Sequence, residues 1–202
     1  MKKIFLDTET SGLAPGQIGQ LSYIVETDEG NISGKNYFFD IDYVTRGAEE
    51  VTGRNAEFYK EASQGRKFKD YAREIESDFK DSILIAHNLP FDENFISSEF
   101  WRVGITFTPA QRFDTMVYFA DVCKLPGGKY GKQYKNPKLS ELVEYFNIKT
   151  ELIEKYASQL FGIDTNNFHD AMYDTTAMFI AFQIYRDMTN GRTAWSDIFC
   201  TK

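Results

Sequence analysis

Hydrophobic and polar positions along the chain fall into recognisable periods. Lys2 and Lys3 lead into Ile4-Phe5-Leu6, a run that reads as a buried strand over residues 4–7 and ends in Asp7-Thr8-Glu9. Residues 20–26 (QLSYIVE) alternate and predict a second strand, and 35–40 (KNYFFD) a third, with "TDEGN" as the hairpin turn between them. A helical pattern follows over about 48–81, broken near "SQGRK". The short continuous apolar run at 82–86 (SILIA) suits a fully buried strand of parallel type. Helices are predicted at 92–103, 114–123 and 139–146, with a short extended piece at Arg112 and Phe113. A last long helix runs from near Asp170 to about Met188. Strands first, then strands alternating with helices, predict one α/β domain over 1–202 built on a mixed sheet. There is no internal repeat and no low-complexity linker.

Composition narrows the field. A chain of 202 residues with 42% hydrophobic and 16% aromatic residues has ample material for a core. Its 23 Lys and Arg against 30 Asp and Glu, net −7, argue against a strong general affinity for nucleic acid. Cys123 and Cys200 are far apart and form no CxxC pair, which leaves little support for a disulfide framework or a zinc site. With no signal-like start and no 18-residue apolar run, a soluble, reducing, cytoplasmic setting without a membrane is expected. Histidine is scarce: there are two, His87 and His169.

Four acids stand out by position. Asp7 and Glu9 lie two apart on a strand, hence on one face, with Cα atoms roughly 6.5–7 Å apart. Asp92 opens its predicted helix after "AHNLPF" and shares the apolar face of Phe95, Ile96 and Val103. Asp174 sits on the stripe of Ala177, Met178, Ala181, Phe182 and Tyr185. An acid on a core-facing stripe must be paired, protonated or bound to a cation. No basic partner is near in sequence. Four acids are too many to resolve by sharing protons, so hard divalent cations, Mg²⁺ or Mn²⁺, are expected. His169, five residues before Asp174, lies at the mouth of such a site, where it could take a proton from water. His87, at the end of the buried strand, suits either a structural hydrogen bond or a substrate contact.

"FLDTETSGL", "AHNLPFDENFI" and "HDAMYDTTA" resemble the three exonuclease motifs of the DEDDh 3′→5′ exonuclease superfamily, in the style of the proofreading epsilon subunit of DNA polymerase III. "RFDTMVYFADV" and "KLSELVEYFNI" resemble intervening segments, so the likeness spans about residues 3–185. The motif positions fall on Asp7 and Glu9, on Asp92 after Asn88 and Phe91, and on His169 and Asp174. The resemblance implies a ribonuclease-H-like fold, a mixed five-stranded sheet flanked by helices. It also implies hydrolysis of a single-stranded 3′ end to nucleoside 5′-monophosphates, with DNA favoured over RNA. In the implied two-metal scheme Asp7 bridges both ions, Glu9 and Asp174 hold one of them, Asp92 binds through waters and His169 is the base. Leu13, delivered by the "TSGL" turn with Gly12, resembles the wedge against the terminal base. The backbone around Thr8–Thr10, His87 and the Asn88/Phe91 pair complete the implied nucleotide pocket, and a DNA polymerase subunit is an implied partner.

Two features need separate notice. Where relatives carry a His-Gly-Ile turn, this chain has "VTGRN". The segment "KLPGGKYGKQYKNPK" holds five lysines with Tyr130 and Tyr134 interleaved, suited to stacking on a single strand or to a solvated loop. A non-catalytic nucleic-acid or polymerase-binding module on the same fold is the competing expectation, but such a module would be expected to have lost one of the five motif residues. An aspartic-protease reading fails, because Glu9 stands where D-T-G needs glycine.

Overall fold

In a computed structural model of the chain, residues 1–13, 15–127, 133–162 and 169–189 are described. Five strands form one sheet: β1 (Lys3–Thr10), β2 (Ile18–Glu26), β3 (Ile32–Phe38), β4 (Ile83–Ala86) and β5 (Gln111–Asp114). Their order is β3-β2-β1-β4-β5. The β1–β2 and β2–β3 pairs are antiparallel, and β1–β4 and β4–β5 are parallel, so the sheet is mixed as expected.

The alternation in Ile4-Phe5-Leu6 splits the core in two. Ile4 and Leu6 face a layer with Leu21, Tyr23 and Leu84, closed by α3 (Phe68–Phe79) and α4 (Leu89–Arg102). Phe5 faces the opposite layer, closed chiefly by α9 (Ala171–Met188). There its ring meets Phe179 and Phe182 edge-on at 4.9 and 5.6 Å. β1 is thus buried on both faces, which makes it the rigid element on which a site can be built.

Several boundaries differ from the pattern, each for a physical reason. β1 does not stop at Asp7 but runs to Thr10, pairing Asp7 with Ser22 and Glu9 with Gln20 before a bulge between Glu9 and Thr10. The helical stretch at 48–81 is three helices: α1 (Arg46–Thr52), α2 (Ala56–Ser63) and α3. Its additional break comes at Gly53, in the left-handed region at φ 70°, followed by Asn55, whose side chain caps α2 by accepting from Phe58 N at 2.9 Å. α4 starts at Leu89 rather than Asp92, because Pro90 sits in the first turn, where a missing N–H costs nothing. Asp92 is therefore inside that first turn. The helix at 114–123 divides into α5 (Thr115–Tyr118) and α6 (Ala120–Cys123), and α7 spans Leu139–Tyr145.

One helix escaped the pattern altogether. α8 (Thr150–Phe161) buries only Ile153 and Ala157 and packs between α9 and β3. It comes so near β3 that a Cβ on Gly34 would meet Leu160 O at 2.7 Å. No helix among the described residues is long and apolar enough to cross a membrane.

Candidate active site

Three elements converge at the end of β1. The strand's period of two puts Asp7 and Glu9 on one face, and the first turn of α9 lays Asp174 against them. One carboxylate oxygen from each of the three lies within 4.8 Å of the others. Glu9 is buried, while Asp7 and Asp174 keep a partial opening to solvent. Asp92 comes from α4 on the other side, buried, with its Oδ1 accepting from Thr8 Oγ1 at 2.7 Å. It stands outside the tight group of three, tethered through the residue between Asp7 and Glu9.

The electrostatics follow from burial with little counter-charge. Burial pushes Asp7 well above the usual carboxylate range, and repulsion from Asp92, Asp174 and Glu9 adds to it. Glu9 is raised first by burial and then by Asp174, against the opposing pull of Arg54. Burial pushes Asp92 up to about 7, although the hydrogen bond from Thr8 opposes it. Asp174 also rises to about 7, by burial, with the backbone N–H of His169 opposing. That N–H reaches Asp174 Oδ2 at 3.2 Å. The other oxygen, Oδ1, is buried and has no hydrogen-bond partner among the described residues. An orphaned carboxylate oxygen, facing two further acids, fits hard divalent cations and little else.

His169 directly precedes Asp170, the N-cap of α9, and is exposed in a left-handed conformation at φ 66°. The turn it makes carries its imidazole out to solvent and leaves its N–H on Asp174.

Beside the acids lies a cavity of about 320 Å³. Thr8, Thr10, Gly12, Leu13 and Phe91 line it. Leu13 is 92% exposed at its rim. The opposite wall is α1, through Thr45, Gly47, Ala48, Val51 and Thr52, none of which the motifs point to. Loop and helix are strapped together, since Thr45 N donates to Ser11 O at 2.8 Å. Gly12 is required there: a Cβ would meet Thr45 Cγ2 at 2.9 Å.

His87 and Asn88 are placed elsewhere. The His87 ring sits between Thr115 Oγ1 at 3.0 Å and Pro137 O at 2.9 Å. Asn88 is the left-handed N-cap of α4, with its own N–H on Asp114 Oδ1 at 3.1 Å. Of the lysine-rich segment, Lys129, Tyr130 and Lys132 lie outside the described residues. Lys135 is paired with Glu141.

With this geometry in hand, comparison with known proteins is decisive for the family. A family model described as Exonuclease (RNase_T) matches residues 4–182. The chain belongs to that exonuclease family. It is 32% identical over 139 residues to the DNA polymerase III subunit epsilon of Rickettsia prowazekii, an alignment covering 64% of this chain and 58% of the relative. It is 39% identical over 56 residues to the 3′-5′ exonuclease DinG of Staphylococcus haemolyticus, covering 28% of this chain and 6% of that one. This exonuclease-family chain thus spans less than two thirds of the length of the curated relatives it matches. Among solved structures, E. coli Exonuclease I in complex with a dT13 oligonucleotide superposes with a TM-score of 0.66 at 20% identity, covering 96% of this chain and 43% of that one. A zinc-bound form of the E. coli Exonuclease I complex with single-stranded DNA superposes with a TM-score of 0.67 at 20% identity, over 94% of this chain and 41% of that one. The shared fold is ribonuclease-H-like.

Proposed function

We propose that this chain is a divalent-metal-dependent 3′→5′ exonuclease that shortens single strands, DNA in preference to RNA, and releases nucleoside 5′-monophosphates. The observation that carries the reading is the group of three carboxylates with a buried, unbonded oxygen on Asp174. Family membership supports the reaction class, and the oligonucleotide held by a protein of the same fold supports the substrate.

Asp7, Glu9 and Asp174 would hold two cations, Mg²⁺ or Mn²⁺, with Asp92 assisting from its tether on Thr8. When bound, these ions supply the positive charge that relieves the carboxylates, draws in the scissile phosphate and acidifies the attacking water. His169 accepts the proton of that water as its oxygen attacks phosphorus in line. The bond from phosphorus to the 3′ oxygen of the penultimate nucleotide breaks, and that oxygen takes a proton from solvent. The 320 Å³ cavity receives the terminal nucleoside, with Leu13 and Phe91 against the base and Gly47, Ala48 and Val51 of α1 as the facing wall. The relatives that are polymerase III subunits support a polymerase subunit as partner.

The test uses 5′-labelled single-stranded DNA and RNA side by side. A ladder of products shortened from the 3′ end, abolished by EDTA and by Asp7→Ala, is expected. Binding of the strand without shortening, with Mn²⁺ shown to be bound, would instead establish the non-catalytic module.

A further inference from the structure

The stretch "VTGRN" departs from the family's pattern, and its arginine has a defined task in the structure. Arg54 lies in the connection between α1 and α2, with its guanidinium carbon 5.1 Å from the Phe58 ring centroid and 5.8 Å from that of Phe38. Its Nη2 donates to Asp170 Oδ2 at 2.6 Å, with the two side chains only 15% and 11% exposed. Its Nη1 donates to Gln20 Oε1 on β2. Gln20 in turn donates to Asp170 Oδ1 at 3.2 Å, and that same oxygen caps α9 by accepting from Met172 N at 2.9 Å. Asp170 is thus gripped from two elements at once. It is the residue between His169, held at φ 66°, and the helix turn that carries Asp174.

We propose that Arg54 is a positioning residue of the exonuclease site: through Asp170 it fixes the first turn of α9, and with it the relative placement of His169 and Asp174. A cation this near to Glu9 would, by charge alone, compete with bound metal. Its commitment to Asp170 offsets that charge locally. The bidentate reach to a glutamine and a carboxylate, between two aromatic rings, is a geometry arginine satisfies and lysine does not. The proposal rests on the site assignment above, yet the two can fail separately.

The experiment compares Arg54→Met, Arg54→Lys, Asp170→Asn and the Arg54→Met/Asp170→Asn double variant with the unaltered chain. Since the chain has two histidines, proton NMR of the metal-free protein resolves both rings, and His87 serves as the internal reference. Arg54→Met is expected to shift the His169 ring signals and leave those of His87 in place. At saturating Mn²⁺ its kcat should fall about tenfold with KM within twofold, and Mn²⁺ affinity, read by electron paramagnetic resonance, should not weaken. Arg54→Lys should recover only part of kcat. The double variant should lose no more than the worse single variant, as coupled residues do. Should Arg54→Met lose cooperative unfolding, Asp170→Asn carries the same expectations for the His169 signals and for kcat with the shape of the cap retained, while its Mn²⁺ affinity should weaken because the Arg54 charge is no longer offset. An unmoved His169 signal with kcat within twofold, or losses that multiply in the double variant, overturns the proposal. Failure of the site assignment would show in the unaltered chain, as Mn²⁺ neither bound nor required.

Discussion

The two ends of β1 bury acids in opposite ways. At the start of the strand, Lys3 pairs in register with Glu26 of β2, and its Nζ lies 2.9 Å from Glu26 Oε1. Arg186 and Gln183 of α9 also donate to Glu26, at 3.0 and 2.9 Å. Burial alone would raise Glu26, but Lys3, Arg186 and Gln183 together hold its carboxyl below the usual range. At the far end Asp7, Glu9, Asp92 and Asp174 meet with only the distant pull of Arg54 on Glu9, and all four are raised. One strand thus carries a charge site completed by its own chain and one completed only from outside. Burial is common to both ends. A direct ion pair to the acid is what separates the two ends.

Substitution at either end should break this contrast in opposite directions. Asp7→Asn is expected to cut hydrolysis roughly a thousandfold or more. In EDTA it should leave the melting temperature unchanged or higher, because a repulsive charge is gone. Lys3→Met should spare the cleavage chemistry and cost about 3 kcal/mol in a denaturant titration, since it strips a buried carboxylate of its main partner. A stability loss in Asp7→Asn comparable to that in Lys3→Met would erase the distinction.

The pH dependence has opposite signs at the two ends. Asp92 and Asp174 titrate at about 7 in the folded chain, against about 4 for an unfolded carboxylate. Between those values the folded state holds more protons, so the metal-free protein gains stability as pH falls from 7 towards 4. Glu26, lowered on folding, adds stability above the ordinary glutamate range and loses it as pH falls through its folded value. Calorimetry in EDTA should therefore show melting temperature rising from pH 8 to pH 5.5. Mn²⁺ should raise it more at pH 8 than at pH 5.5, and an equal rise at both would remove the acids from cation binding.

Smaller effects sharpen the boundary of the site. Gly12→Ala forces a contact of 2.9 Å on Thr45, so it should cost about 1 kcal/mol and raise KM, with Thr45→Ser recovering part of both by removing Cγ2 while Oγ1 stays at 3.1 Å. His87→Ala should cost about 1 kcal/mol, through the lost bond to Pro137 O, and leave KM for a single strand as it was. A raised KM would return His87 to the substrate.

The acids were legible because each lies where a simple period meets the wrong chemistry. Asp7 and Glu9 share a strand face, and Asp174 interrupts an apolar stripe. Asp92 was legible as core-facing, although its helix starts three residues earlier than read, since proline in a first turn imitates a break. What could not be read was tertiary. The α1 wall of the cavity is made of small residues with no periodic signature, and α1 itself buries none of its residues. α8, by contrast, was legible and missed: Ile153, Ala157, Leu160 and Phe161 recur at helical spacing and pack towards the core. Arg54 and Asp170 are 116 residues apart and meet only once the sheet has formed. Neither the break at Gly53 nor the reach of the arginine after it was read from the sequence.

The bulge between Glu9 and Thr10 divides the molecule by its tolerance of length change. Upstream of it, one deleted residue would put the stretches on its two sides out of phase, so that either the apolar run or Asp7 and Glu9 must turn to the other face. Downstream, the ladder has already slipped by one, and the loop from Ser11 to Gln17 is closed by its own bond from Ser11 N to Gln17 O at 2.9 Å. Insertions between those two residues would reshape the rim around Leu13 and leave the acids where they are. A designer wishing to change what this protein accepts at its entrance has a place to cut that the chemistry does not feel.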